Sequence, residues 1–204
     1  MNTPHDHRHF GDDEDSISYY RTMEIAVRDL LIAKGVFTRE QMRKTVEAMD
    51  SRGYHRGARM VARAWVDAAY RERALANGAQ AAEELGMQVG PLKLVLVDNT
   101  PATHNMIVCT LCSCYPRMLL GLPPDWYKSR EYRSRAVSEP RKVLEDFGTR
   151  LPEGVAIRVH DSTADMRYMV LPMRPAGTES LGEAELAKLV TRDALIGTAI
   201  IDRA

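Results

Sequence analysis

Val108-Cys109-Thr110-Leu111-Cys112-Ser113-Cys114 is the stretch around which this chain is organised. It holds all three cysteines of a 204-residue chain within six positions. The thiolate is both the reactive and the metal-binding form of cysteine, so the run raises the question of what three sulfurs hold together. Zinc fits poorly. A structural zinc site takes four ligands in a tetrahedron, usually from two separated pairs. No second C-x-x-C occurs, and the nearest histidines, His104 and His160, lie before the run and far beyond it. A disulfide fits no better. Cys109 and Cys112 have redox-type spacing, but Cys112 and Cys114 are too close to bridge without strain, and one thiol is left over. A thioredoxin-like dithiol would also need a βαβ context that the flanks lack.

The third reading is a claw. When one residue separates two ligating cysteines, the backbone nitrogens between them also face the metal. If the amides of Ser113 and Cys114 lose their protons, two nitrogens and the sulfurs of Cys112 and Cys114 lie in one plane. Cys109 then supplies an axial sulfur. Removing an amide proton near neutral pH demands a strongly polarising ion. Trivalent, low-spin Co(III) suits this, with Fe(III) second, because geometry and ligand softness decide the choice. The sixth position stays open to water or substrate, as in a catalytic metal site. Tight turns present successive backbone N–H groups, so a claw belongs in a loop after a strand. Apolar Met106 to Val108 supplies such a strand.

Working outward, Leu92 to Val97 predicts a second strand, and Ala156 to His160 and Arg167 to Leu171 alternate like half-buried strands. Before them the chain is helical. Ser18 to Lys34 repeats Met23, Val27, Leu30 and Leu31 at helical spacing, with Gly35 as the stop. Thr38 and Gln41 form a capping box for a second helix lined by Met42, Val46 and Met49, with Phe37 stapled onto Met42. A third, from about Gly57 to Ala68, buries Val61, Ala62 and Trp65. Shorter pieces cover Tyr70 to Leu75 and Ala79 to Leu85. Leu122 to Asp125 makes a proline-rich turn. Ser138 is expected to cap a helix reaching Phe147, and Ser180 with Glu183 to box a last helix reaching Thr191. Strands mixed with helices, without βαβ order, predict an α+β fold. The expected organisation is a disordered polar tail over 1–17, a helical arm over 18–88 and an α+β metal-binding catalytic domain over 89–204. The arm exposes more apolar face than it can bury, so a partner subunit is expected to cover it.

Lys plus Arg equals Asp plus Glu at 28 each, giving zero formal charge, and nothing suggests a nucleic-acid or membrane partner. No apolar run is long enough to span a bilayer. The first residues are polar, so no secretory signal is expected and the chain reads as cytoplasmic. His5, His7 and His9 alternate in the tail, which reads as solvated with a secondary option of catching a divalent metal.

Cys109-Thr110-Leu111-Cys112-Ser113-Cys114 resembles the metal-binding signature of nitrile hydratase α subunits and of the related catalytic γ subunit of thiocyanate hydrolase. The resemblance runs from about Ser18 to Gly197. It includes Leu120-Gly121-Leu122-Pro123-Pro124, Trp126-Tyr127-Lys128, Tyr132-Arg133-Ser134-Arg135 and Arg174-Pro175-Ala176-Gly177-Thr178. It implies two sheets sandwiched between helices, an α-β-β-α layering. Thr110 goes with cobalt in this family, where serine goes with iron. Cys112 is expected as a sulfinate, Cys114 as a sulfenate and Cys109 as a plain thiolate, on adjacent rungs of cysteine oxidation. The implied partners are one or two β-type chains, a small nitrile and a cobalt-delivery or activator protein. Arginines from a partner chain are implied to pair with the sulfur oxygens, with Arg133 and Arg135 able to help locally. The implied reaction is hydration of a nitrile to its amide, with attack by the Cys114 sulfenate oxygen or by an activated water. Ser113 contributes a backbone nitrogen and orients through its hydroxyl.

One position departs from the pattern. Most cobalt members resemble Tyr-Pro-Trp-Pro after the signature, whereas this chain has Tyr115-Pro116-Arg117-Met118. An apolar wall is thereby exchanged for a cation with five donors. Thiocyanate hydrolases carry arginine there, and three-subunit nitrile hydratases acting on polar nitriles such as toyocamycin lie between. Arg117 is therefore expected in the substrate pocket. The reading adopted is nitrile hydratase. The alternatives are thiocyanate hydrolysis to carbonyl sulfide and ammonia, and a non-catalytic metal carrier.

Overall fold

The computed structural model describes residues 14–111 and 114–201. In chain order its elements are α1 (Glu14–Ala33), α2 (Arg39–Asp50), α3 (His55–Val66), α4 (Ala68–Ala76), α5 (Gly78–Glu84), β1 (Lys93–Asp98) and β2 (Thr103–Val108). There follow α6 (Arg117–Leu120), α7 (Asp125–Lys128), α8 (Arg130–Ser138), α9 (Pro140–Asp146), β3 (Ala156–Asp161), β4 (Met166–Leu171), α10 (Glu183–Leu189) and α11 (Arg192–Ile196). The polar-tail reading, with its alternating histidines, falls mainly on residues 1–13, which lie outside the described residues; α1 itself begins at Glu14.

Four strands form two parallel pairs. β1 pairs with β4 from Lys93↔Met166 to Asp98↔Leu171, and β2 pairs with β3 from Thr103↔Ala156 to Val108↔Asp161. Between β1 and β2 the chain reverses through a tight turn, where Thr100 and Thr103 bridge. The two pairs meet through β2 against β4 and β1. α4 and α5 cover β1, α9 packs on β3, and α11 sits against β2 and β4. The result is the expected α+β class, with helices outside two small sheets. One end of this sandwich carries the β1–β2 turn. The other end carries the cysteine run, which leaves β2 at Val108.

α1 and α2 differ from the body. Gly35 ends α1 in the left-handed region at φ +71°, and the Val36 N–H bonds back to Leu31. The expected capping box opens α2, with Thr38 and Gln41 exchanging bonds of 2.7 and 3.1 Å. Yet α2 buries no side chain, and Met23, Val27, Leu30, Val46 and Met49 are all exposed. α3 behaves oppositely. Val61 and Ala62 are wholly buried, and the Trp65 indole donates to Pro172 O at 2.8 Å. Gly57 permits this fit, since a Cβ there would lie 2.7–3.0 Å from the side chains of Leu120, Leu195 and Met169. The packed body thus begins at α3, and α1 and α2 carry a run of exposed apolar side chains.

Two helix expectations are corrected. Ser138 does not cap α9; it ends α8, and its hydroxyl donates to Ser134 O at 3.1 Å. Pro140 forces the break one residue later, because it disfavours the helical region at the residue before it. Glu139 accordingly lies at φ −143°, ψ 56°. The Ser180–Glu183 box is likewise displaced. Gly182 N–H donates to the Glu185 carboxylate at 3.0 Å, the helix stops at Leu189, and Thr191 caps the separate α11.

Candidate metal centre

β2 delivers a deeply buried segment, Met106-Ile107-Val108, straight into Cys109, which is 1% exposed. In the parallel register Val108 lies beside Asp161, the last residue of β3, and Ser162 N–H donates to Val108 O at 2.7 Å. Because β3 ends there, the Asp161 carboxylate reaches the departing chain. It accepts from Thr110 N–H at 2.9 Å and from the Thr110 hydroxyl at 2.5 Å. Arg133, on α8, donates to Thr110 O at 3.2 Å. On the far side of the loop the Tyr127 hydroxyl donates to Cys114 O at 3.0 Å. Tyr132 ties the approach by donating to Ile107 O at 2.8 Å. The loop is therefore held at its entrance and its exit, while Leu111 at its crest is 90% exposed.

Tyr127 and Tyr132 are held as donors. Burial pushes the Tyr127 phenol well above its usual range, and Cys109 and Tyr115 nearby push it further. Burial likewise raises Tyr115 and Tyr132. Tyr115, Trp126, Tyr127, Tyr132 and Phe147 pack edge to face under the loop, with Tyr115 and Tyr127 centroids 5.0 Å apart. A rigid aromatic floor of this kind holds the loop's carbonyl contacts in place.

Beside Cys114 opens a cavity of about 420 Å³. Arg117 lines it, as the sequence predicts, together with Leu92, Leu94 and Arg167 from the start of β1 and β4. Cys112 and Ser113, the remaining expected ligands, lie outside the described residues. Among the described residues no group of three His, Cys, Asp or Glu side chains is gathered for a metal. The two histidines that a zinc site would need are committed elsewhere. His104 Nε2 bonds Gly197 O at 2.7 Å and its Nδ1 meets Asn99 Nδ2 at 3.3 Å. His160 Nε2 bonds Asn105 Oδ1 at 2.8 Å. Burial lowers the pKa of both rings, so they stay neutral and structural.

The polar atoms around the loop fit a charged group held there. Four buried side-chain polar atoms lack a well-formed hydrogen bond among the described residues: Tyr115 Oη, Ser162 Oγ, which lies beside the Tyr127 hydroxyl, Arg167 Nε and Arg192 Nε. A fifth, Arg63 Nε, faces the Glu183 carboxylate at 2.9 Å, far from the cysteines in sequence. The other four are associated with the cysteine end: Tyr115 follows Cys114, Ser162 follows Asp161, Arg167 lines the cavity and the charge of Arg192 acts on Tyr115. Native interiors satisfy nearly all such groups, so their concentration at one end requires an explanation.

A family model described as nitrile hydratase, alpha chain, matches residues 18–199. The chain belongs to the nitrile hydratase α-chain family. It is 46% identical over 177 residues to the cobalt-containing nitrile hydratase subunit alpha of Pseudonocardia thermophila, covering 84% of this chain and 86% of that one. It is 41% identical over 198 residues to the thiocyanate hydrolase subunit gamma of Thiobacillus thioparus, covering 91% and 82%. A solved structure of an Fe-type nitrile hydratase variant from Comamonas testosteroni Ni1 superposes with a TM-score of 0.84 at 41% identity, covering 94% and 93%.

Within this nitrile hydratase α-chain fold, the cysteines, Thr110 and Arg117 carry a signal in the sequence, whereas Asp161, Tyr127, Ser162 and Arg167, which the fold brings to the loop or its cavity, carry none. Asp161 directly follows the predicted strand Ala156 to His160, but only the parallel register with β2 brings it to the loop. Arg133 does reach the loop. Arg135 does not; it is paired with Glu131, Glu139 and Asp146 at 3.1, 2.5 and 2.7 Å.

Proposed function

We propose that this chain is the metal-bearing catalytic subunit of a cobalt nitrile hydratase, adding water across a nitrile to give the amide. The observation that carries the reading is the doubly anchored cysteine loop whose last cysteine lines a cavity. Cys109, Cys112 and Cys114 would hold the ion through sulfur, with the backbone nitrogens of Ser113 and Cys114. A low-spin Co(III) ion so held supplies Lewis acidity toward the nitrile nitrogen. Asp161 and Tyr127 anchor the chain on either side of those groups, at Thr110 and at Cys114 O. Thr110, the residue that goes with cobalt in this family, supports cobalt over iron in this reading; its hydroxyl is tied to Asp161. Cys112 as sulfinate and Cys114 as sulfenate would take the buried donors at this end as partners, since buried anions need them. The Cys114 oxygen, or a water it activates, delivers the nucleophile to the nitrile carbon.

The exposed face of α1 and α2 supports a β-type partner, in one chain or two, gripped by these helices. A cobalt-delivery protein and a cytoplasmic setting belong to the same reading. Among the described residues no helix is long and apolar enough to cross a membrane.

Arg117 in the cavity favours a second reading, hydrolysis of thiocyanate, an anion that a guanidinium attracts. The test is turnover by the assembled, cobalt-loaded enzyme, with metal analysis and mass spectrometry of the peptide spanning Cys109 to Cys114. Amide formation from a nitrile, with added oxygen on Cys112 and Cys114, supports the first reading. Carbonyl sulfide and ammonia from thiocyanate alone support the second. Three unmodified thiols in active protein, or zinc in the loop, overturn both.

A further inference from the structure

We infer that Arg167 is a specificity-determining residue, and that with Arg117 it makes the cavity beside Cys114 a receptor for C≡N compounds carrying a negative charge. The inference rests on the proposed reaction and names its substrate class. Both guanidinium groups line the same cavity of about 420 Å³, and no aspartate or glutamate lines it. The rest of the wall is largely apolar, from Val89, Leu92, Leu94 and Leu119. Among the described residues neither arginine has a carboxylate partner. Two cations on a low-dielectric wall, without a counter-ion, attract an anion of the size that fits between them.

The two arginines are held differently. Arg117 begins α6 and is exposed. Arg167 is half-buried in β4, and its Nη1 donates to the backbone oxygens of Thr163, Ala164 and Met166. Those bonds pin the guanidinium plane against the wall. Its Nε is buried without a partner. A pinned arginine binds a planar anion with little loss of side-chain freedom, which a mobile one does not. Arg167 therefore sets the position of the charge, and the C≡N group points toward Cys114. Arg117 closes over the anion afterwards. A guanidinium bond to a carboxylate, once removed, weakens binding by about 10- to 100-fold.

The experiment compares cyanoacetate with isovaleronitrile, its neutral isostere, on the assembled, cobalt-loaded enzyme. Hydration of cyanoacetate adds one water across the C≡N bond, and the carboxylate is untouched. Thiocyanate serves as a second anionic probe, whose conversion to carbonyl sulfide, ammonia and hydroxide consumes two waters. In Arg167→Met the ratio of kcat/KM for cyanoacetate to that for isovaleronitrile should fall at least tenfold, mainly through KM, with partial rescue in Arg167→Lys. A ratio within twofold of the parent overturns the inference and leaves nitrile hydration standing. If the parent converts neither nitrile, nitrile hydration falls, and calorimetric binding of thiocyanate to the same assemblies decides the inference alone. Affinity at least tenfold weaker in Arg167→Met supports it, and unchanged affinity overturns it. Thermal unfolding of each variant shows whether a loss follows from misfolding, and a lost ratio that Arg167→Lys does not recover in stably folded protein also overturns it.

Discussion

The two ends of the sheet sandwich are built from the same four strands and treat polar groups in opposite ways. At the β1–β2 turn end, Asn99, His104 and Asn105 are buried and bonded to one another, and the half-buried ring of His160, from further along β3, reaches back to Asn105. Asn105 Nδ2 donates to Asp98 O at 2.7 Å and to Asn99 Oδ1 at 3.0 Å, and its Oδ1 takes His160. Asn99 Oδ1 also accepts the Asn105 N–H at 2.7 Å. The network closes through His104 onto Gly197 O. Gly197 can lie this near only as glycine, since at φ +90° a Cβ would stand 2.1 Å from Asn105 O. At the cysteine end, by contrast, Tyr115 Oη, Ser162 Oγ, Arg167 Nε and Arg192 Nε are buried without a well-formed hydrogen bond among the described residues. A satisfied polar network specifies and stiffens a core. An unsatisfied one is tolerable where function supplies the missing groups. The turn end is satisfied by the chain itself, whereas the cysteine end is where the proposed centre would supply the missing partners.

The largest effect that tests this contrast is loss of the loop's chemistry without loss of the fold. Cys112→Ala should abolish stable cobalt binding and activity, with metal occupancy falling to roughly a tenth of the parent or less, since one missing ligand breaks the claw. Unfolding of the metal-free chain should move by under about 0.5 kcal/mol, as for changes away from packed features. Full cobalt occupancy in this variant, measured by plasma mass spectrometry, would contradict the ligand set.

The converse change belongs at the turn end. Asn105→Ala strands Asp98 O and the His160 ring N–H in the interior. Breaking such a network should cost about 2–4 kcal/mol of stability by urea unfolding. Cobalt content per folded molecule should stay that of the parent. If Asn105→Ala lowers metal content with stability intact, the two ends are not independent.

These contrasts also separate what was legible in the sequence from what was not. The four strands and the cysteine loop were readable because alternation and spacing are local signals. The capping box of Thr38 and Gln41 was readable for the same reason. Ser138 misled because its side chain suits a cap, while Pro140 moved the break to Glu139. Asp161, Tyr127 and Arg167 were invisible because each acts across 13 to 51 residues of chain, through strand register or helix packing. Arg117 was readable only against the pattern of the family. The exposed face of α1 and α2 was visible as an excess of apolar positions, but which helices pack and which do not required the fold.

A smaller effect is expected from the entrance anchor. Asp161→Ala removes both acceptors of Thr110, yet both residues are exposed, so water replaces part of the loss. The change in global stability should be about 1 kcal/mol. A double-mutant cycle with Thr110→Val should give a coupling of roughly 0.5–1.5 kcal/mol. The cobalt on-rate should slow in both single variants, because the loop samples more conformations before loading. Zero coupling, with uptake as fast as the parent's, would detach Asp161 from the loop.

The exit anchor should give the smallest global effect and the most local one. Tyr127→Phe keeps the ring, its edge contacts with Tyr115 and Trp126, and its burial. It removes only the hydroxyl that donates to Cys114 O. A single neutral hydrogen bond is worth about 1 kcal/mol, and no cavity larger than one oxygen is left. The unfolding midpoint should therefore shift little. The carbonyl of Cys114, however, belongs to the peptide whose neighbouring nitrogen is an expected ligand. Freed from Tyr127, that peptide can tilt, and the plane of the claw tilts with it. The visible absorption of the cobalt-loaded protein should move while its cobalt content does not. A spectrum identical to the parent's would show that the aromatic floor alone orients the loop and that the phenol contributes nothing to the centre.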